Sequence, residues 1–413
     1  MKKEIRRSII SGKTNAPAST AMAHRAIFLA SLSDGQTIVS NLPRNSEIDA
    51  TIGMCNSFGA DIVVENKVAD IFGTSGNVVP ANVDCGECNT TLKFALPLAS
   101  LYNKEITLNG TGKLAIKDLH KFCEYLGIMS VSAEAHEKHL PIKVKGPMQG
   151  SELAYFPALG TQFLSGLLLS APLRSEDTVI SIIDQIPGRR HIDATIEMMK
   201  KSKIAFTVLE TDLMCIPGLQ EYDPPEEIVV PSSEFFASYL LLAGALCGKV
   251  EVKGLHPAPK LEEIFRAFSA NVKREEGKIT VSTSVLEGTE LDAVRVGRYL
   301  PHALAMASLS AGQSTIKNLP NLNRNDKMRV KHMIHELSGM GAQIEESANE
   351  VKITGGKLKG AQVSTHDDSH VGMALAVAGA AASGPTTINS AECIEKSYGG
   401  FFSDLAGLGL IVR

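Results

Sequence analysis

No apolar run in this 413-residue chain approaches the ~18 residues that a membrane-spanning helix needs, and the opening MKKEIRRSIISG lacks the apolar stretch of a secretory leader. The protein is therefore expected in the cytoplasm. Charge of one sign is equally scarce. Forty-one Lys and Arg stand against 45 Asp and Glu, a net −4, which excludes a basic surface for nucleic acid or anionic lipid over the whole chain and leaves room only for a local basic cluster. Cysteine is sparse and odd in number: seven thiols in a chain this long read as reduced. Cys85-x-x-Cys88 has no second pair at zinc-site spacing, and DCGECNTTLKF is not a thioredoxin-like setting, so two buried thiols beside a turn are expected. His332-x-x-His335 lacks a third ligand and is expected to be a solvated helix face. The glycine patterns of phosphate loops, dinucleotide sites and nucleophile elbows are missing too.

What the chain has is repetition. Residues 30–43 (ASLSDGQTIVSNLP) return as residues 307–320 (ASLSAGQSTIKNLP), with nine identities in fourteen. Weaker copies start at Phe94, Leu167, Leu240 and Ala374, each a small-residue helix, a short break and a β-branched strand. Six copies at roughly seventy-residue spacing span the chain, and each is followed by a second amphipathic helix that often ends on Gly. The unit reads as strand–helix–strand–helix–strand–strand, with first helices inward and sheets outward. Three units per lobe are expected, with EYDPPEE at 221–227 as the break.

Polar and basic residues recur where a loop meets a first helix: APASTAMAHR, DCGECNTTLK, PALGTQ, PSSEFF and THDDSH. Taken singly, the Ser, Thr and Asn there read as helix caps. Together with Arg25, Lys93, Arg329 and Lys396, several helix N-termini in one place make a site for an anionic ligand.

These segments, with GTQFLSGLLLSAP, NLNRNDKMRVKHMIHELSGMGA and CIEKSYGGFF, resemble the enolpyruvyl transferase family over essentially the whole chain, and its 5-enolpyruvylshikimate-3-phosphate synthase branch most. The resemblance implies a two-lobed inside-out α/β barrel of six βαβαββ repeats, with residues 14–222 as one lobe, residues 1–13 plus 223–413 as the other, and the active-site cleft between them. It also implies transfer of enolpyruvyl from phosphoenolpyruvate to a phosphorylated hydroxyl acceptor such as shikimate 3-phosphate. No metal or organic cofactor takes part, and the protein is expected to act as a monomer.

Carried over by position, Lys396, Asp326 and Arg298 fall on catalytic places. Ser19, Thr20, Arg25, Asn89, Lys93, Thr161, Gln162, Asn321, Arg329, His370 and again Lys396 fall on substrate-binding places. Several depart from the family pattern. Thr20 replaces a Lys and Ala21 a hydroxyl, Leu114-Ala115 stands for an Arg-Pro pair, Gly160-Thr161 for Ser-Ser, Asn325 for a Lys and His370 for an Arg. Arg298 falls where a general-base Asp is expected, and a guanidinium cannot accept a proton at working pH. Arg298 and His370, with Arg189, Arg190 and His191, are expected to add positive charge. Three functions stay open: a divergent synthase of this branch, a transferase with a changed anionic acceptor, and a non-catalytic anion-binding paralogue.

Overall fold

The computed structural model describes residues 1–77, 82–184, 188–210, 212–255 and 257–413. By its internal contacts the chain divides into two compact units, Ala18–Pro231 and a split unit of Met1–Pro17 with Ser232–Arg413. The crossings lie beyond the 13/14 and 222/223 boundaries read from the sequence. The strand Ile10–Asn15 runs straight through the earlier position, pairing in parallel with Gly248–Lys253. After the prolines of EYDPPEE the chain adds one more strand to the Ala18–Pro231 unit, where Glu227–Val229 lies parallel to Gln36–Ser40.

Among the described residues there are six four-stranded sheets, three in each unit, and all share one pairing order. An edge strand runs parallel to its neighbour, which is antiparallel to the third strand, itself antiparallel to the fourth. In one of them Asn82–Asp84 pairs with Ile106–Asn109, then His139–Lys145, then Ser132–His136. His139–Lys145 shows why it is a strand: Leu140, Ile142 and Val144 are buried while Lys143 and Lys145 face solvent, the period of a half-buried sheet. Two sheets take their edge strand from the far side of a crossing. Ile10–Asn15 precedes the first helix of the Ala18–Pro231 unit, and Glu227–Val229 precedes Glu234–Cys247 of the split unit, yet each pairs in the unit it leaves behind.

Each sheet is accompanied by a first helix that is apolar nearly all round: Thr20–Leu32, Asn89–Ala99 and Thr161–Ser170 in one unit, Glu234–Cys247, Leu300–Leu309 and Ser369–Ala381 in the other. Such helices are stable only inside a core, and these supply the centre of each unit's hydrophobic cluster. Small residues set how closely they approach. Pro97 leaves the Lys93 carbonyl without its helical N–H partner. Gly166 packs on that spot, where a Cβ would sit 2.6 Å from the Lys93 oxygen and 2.9 Å from the Phe94 Cα. No helix of the described residues is long and apolar enough to cross a membrane.

Candidate functional site

In the Ala18–Pro231 unit the first turns of the three central helices carry the polar groups. Ser19 caps Thr20–Leu32, its hydroxyl accepting the Met22 N–H at 3.4 Å. Thr20 is buried, and the Asn45 amide donates to its hydroxyl at 3.2 Å. One turn on, the Arg25 guanidinium is 2 % exposed. It donates to the Thr195 hydroxyl at 2.7 Å, the Ser165 hydroxyl at 2.8 Å and the Ala21 carbonyl at 2.5 Å. All three acceptors are neutral, and among the described residues no carboxylate pairs with Arg25. Burial lowers it only to about 10, so it stays a buried cation at neutral pH.

A second cation lies one helix over. Lys93 is 8 % exposed, with its ammonium 3.4 Å from the Gln162 amide oxygen and 5.8 Å from the Phe122 ring centre. Burial, then Lys117 and Lys121, pull it from 10.5 to about 7. Lys117 donates to the Asn89 side chain, and Lys121 to the Ala158 carbonyl at 2.5 Å. Gly160, at φ 85°, keeps room for this group: a Cβ there would stand 3.0 Å from the Lys93 nitrogen. Thr161 opens the helix that follows. Leu114, which stands for the Arg of the resembled pattern, is core, and Lys117, three positions later, enters the cluster instead. The Arg189 guanidinium pairs with Asp193 at 3.0 Å.

Beneath these groups His24, Glu47 and Cys88 bring a ring nitrogen, a carboxylate oxygen and a thiol within 4.8 Å of one another. Cys88 therefore has neighbours that its spacing from Cys85 did not reveal.

The split unit gathers its own set around Phe235, in the first turn of Glu234–Cys247. The His370 ring lies 4.4 Å away and the Arg298 guanidinium 4.7 Å. Arg298 donates to the Tyr299 hydroxyl at 3.0 Å, Tyr299 donates to the Glu234 carboxylate, and that carboxylate stands 3.8 Å from Arg298. A carboxylate thus sits beside Arg298, supplied by another helix. Burial, the Arg298 charge and Glu234 leave the Tyr299 phenol raised to about 12, so it remains a donor. Arg329 is gripped by Asp326 at 3.0 Å and Asp368 at 2.8 Å. Asp368 also caps Ser369–Ala381 through the His370 and Val371 N–H groups. Although burial would raise it, the Arg329 guanidinium and these donors hold Asp368 below the usual carboxylate range.

His370 corrects the charge expected there: burial, with Arg329 close by, lowers it to about 3, so its ring is neutral. Lys396 is half-buried on the helix Glu392–Ser397, and Asn321 is exposed at the end of the turn Leu319–Asn321. No hydrogen bond among the described residues ties the Asn321 side chain to the Arg329 group. His335 is solvated as expected, but His332 stacks on His366 with ring centres 4.0 Å apart.

Lys117, Lys121, Tyr299, Asp368 and above all Glu234 escaped the sequence reading. Glu234 lay in the PSSEFF segment, one of the loop-to-helix junctions, and its acidic position among basic ones was the available signal.

The family model described as EPSP synthase (3-phosphoshikimate 1-carboxyvinyltransferase) matches residues 6–405. A 3-phosphoshikimate 1-carboxyvinyltransferase of Methanosarcina acetivorans is 32% identical, covering 100% of this chain and 99% of its own. One of Methanothrix thermoacetophila is 33% identical, over 99% of this chain and 98% of its own. Among solved structures, the EPSP synthase of Acinetobacter baumannii superposes with a TM-score of 0.83 at 20% identity, covering 100% and 99% of the two chains. The enolpyruvyl transferase NikO of Streptomyces tendae superposes with a TM-score of 0.79 at 13% identity, covering 100% and 98%. At those identities the two structures speak for the mixed α/β fold alone.

Proposed function

The chain belongs to the EPSP synthase (3-phosphoshikimate 1-carboxyvinyltransferase) family of enolpyruvyl transferases, and on that premise we propose that it moves enolpyruvyl from phosphoenolpyruvate to a hydroxyl of shikimate 3-phosphate, releasing phosphate, as a cytoplasmic monomer. Three four-stranded sheets of one pairing order in each unit are in keeping with a six-repeat protein of this family. The observation that carries the reading is the pair of buried cations, Arg25 and Lys93, whose described partners are neutral oxygens. A buried guanidinium without a carboxylate is costly unless a ligand anion completes it.

Arg25, Lys93 and Lys117 hold the acceptor's phosphate and carboxylate, with Ser19, Thr20, Asn89, Thr161 and Gln162 donating around them. Arg329, steered by Asp326 and Asp368, and Lys396 hold phosphoenolpyruvate, with Asn321 at the acceptor's edge. Lys396 protonates the methylene carbon of phosphoenolpyruvate as the acceptor oxygen bonds to its C2, and the methyl so formed gives a proton back when phosphate leaves C2 and the double bond is restored. The hydroxyl proton goes to Glu234, the carboxylate beside Arg298. Arg298, 3.8 Å from Glu234, then holds that carboxylate in place, and His370 contributes a neutral ring beside Phe235.

A second reading, a different phosphorylated acceptor, is favoured by one observation: Lys121 and Lys117 put more positive charge around Lys93 than a single phosphate needs. The test is phosphate release with saturating shikimate 3-phosphate and phosphoenolpyruvate, beside Lys396→Ala. Turnover lost in that variant supports the synthase reading. No release from folded protein overturns it and leaves the altered acceptor or a non-catalytic anion binder, which thermal protection by other phosphorylated hydroxy acids separates.

A further inference from the structure

We infer that His24, Glu47 and Cys88 form a binding site for a thiophilic divalent cation of the zinc class. The three donors come from three elements: His24 from Thr20–Leu32, Glu47 from the first turn of Ser46–Ser57, and Cys88 from the cap of Asn89–Ala99. Their ligand atoms lie within 4.8 Å of one another, and the Cys88 sulfur is 4.0 Å from His24 Nε2. That is slightly wider than the donor separation around a tetrahedral zinc, whose bonds to sulfur and nitrogen are about 2.3 and 2.0 Å. All three side chains, whose donor atoms lie within 4.8 Å of one another, draw inward to close around the ion.

The ring is already oriented as a ligand. His24 Nδ1 bonds the Thr51 hydroxyl at 2.6 Å, and Thr51 in turn bonds Thr91 at 2.7 Å. When Nδ1 donates to Thr51, in the way zinc histidines donate to their outer-shell partners, Nε2 keeps its lone pair for the metal. Here the other nitrogen, Nε2, faces the Cys88 sulfur. His24 and Cys88 are each 1 % exposed, whereas Glu47 is half-buried, so entry is from the Glu47 side.

One thiol, one imidazole and one carboxylate select zinc-like ions over magnesium or calcium, which want oxygen alone. Three protein ligands leave a fourth position for water or an anion. Binding converts the Cys88 thiol to thiolate and releases one proton per ion to solvent.

The test uses the full chain under a non-thiol reductant, titrated with Co²⁺ as spectroscopic probe and then with Zn²⁺ in competition. The expected result is one equivalent of Co²⁺ with a thiolate-to-cobalt charge-transfer band and tetrahedral d–d bands, both displaced by Zn²⁺. Cys88→Ser should remove the charge-transfer band and Cys85→Ser should leave it. Glu47→Gln, a change at the rim, should weaken Co²⁺ binding about tenfold or more in protein whose folding is checked by melting without metal. Absence of the band overturns the inference. So does a band that survives Cys88→Ser, or one lost equally in Cys85→Ser. The readout requires no turnover, so it stands or falls apart from the transferase reading.

Discussion

Nε of Arg25 donates to the Thr195 hydroxyl at 2.7 Å, and Thr195 passes the interaction on to Ser165 at 3.0 Å. The guanidinium is therefore aimed by hydroxyls on two other helices. Arg25→Met should abolish thermal protection by inorganic phosphate or shikimate 3-phosphate. Stability of the free protein should change by no more than about 2 kcal/mol, because losing hydrogen bonds is offset by removing a desolvated charge. Melting curves with and without ligand measure both. Retained protection would show that Arg25 is structural only.

Lys93 makes stability and binding depend on pH. Its folded pKa of about 7 lies below its ordinary 10.5, so between those values the unfolded chain binds more protons than the folded one. Stability should accordingly rise with pH across that window; the cost of the buried charge is fully present below about pH 7 and relieved above it. An anion bound beside Lys93 favours the ammonium, so binding at pH 8 should take up protons. Titration calorimetry in buffers of different ionisation heat measures the uptake, and Lys93→Met should eliminate it.

The proposed function makes Glu234 the base, and Glu234→Gln tests that role against Arg298. Turnover should fall about 10²- to 10⁴-fold while phosphoenolpyruvate binding stays within a few-fold, since a lost proton acceptor affects the chemical step. Equal activity of the Gln variant would refute the assignment. Tyr299→Phe, which removes the hydroxyl donated to Glu234, should have a smaller effect on turnover.

Gly166→Ala should destabilise the Ala18–Pro231 unit by about 1–3 kcal/mol, because the added methyl meets backbone rather than a flexible side chain. Denaturant melts measure it. The same substitution pushes on the Lys93 carbonyl, so anion protection should weaken as well.

The repeat is visible in one dimension because the recurring signal is local: a small-residue helix, a break and a β-branched strand with nine of fourteen residues conserved between 30–43 and 307–320. The edge-strand exchange is not. Ile10–Asn15 pairs with Gly248–Lys253, and no feature of six short residues announces a partner so far along the chain. The candidate site divides in the same way. Arg25 and Arg329 sit on helices whose start is marked by caps, and spacing finds them. Lys117 lies three positions past Leu114, which is core, so matching by position finds no cation there. Glu234 is further from reach, since a carboxylate lost at 298 reappears on a different helix and the two meet only in three dimensions. His370 was misread for charge because its protonation depends on burial and on Arg329.

The exchanged edge strands also order events in time. During synthesis the strand Ile10–Asn15 emerges first, but its neighbour Gly248–Lys253 is made only after the whole Ala18–Pro231 unit has been translated. That unit can close all three of its sheets as soon as Glu227–Val229 appears. The leading strands must stay unpaired meanwhile. Lys2, Lys3, Arg6, Arg7 and Lys13, crowded into this waiting segment, are charges of the kind that keep an open strand edge from pairing with another chain.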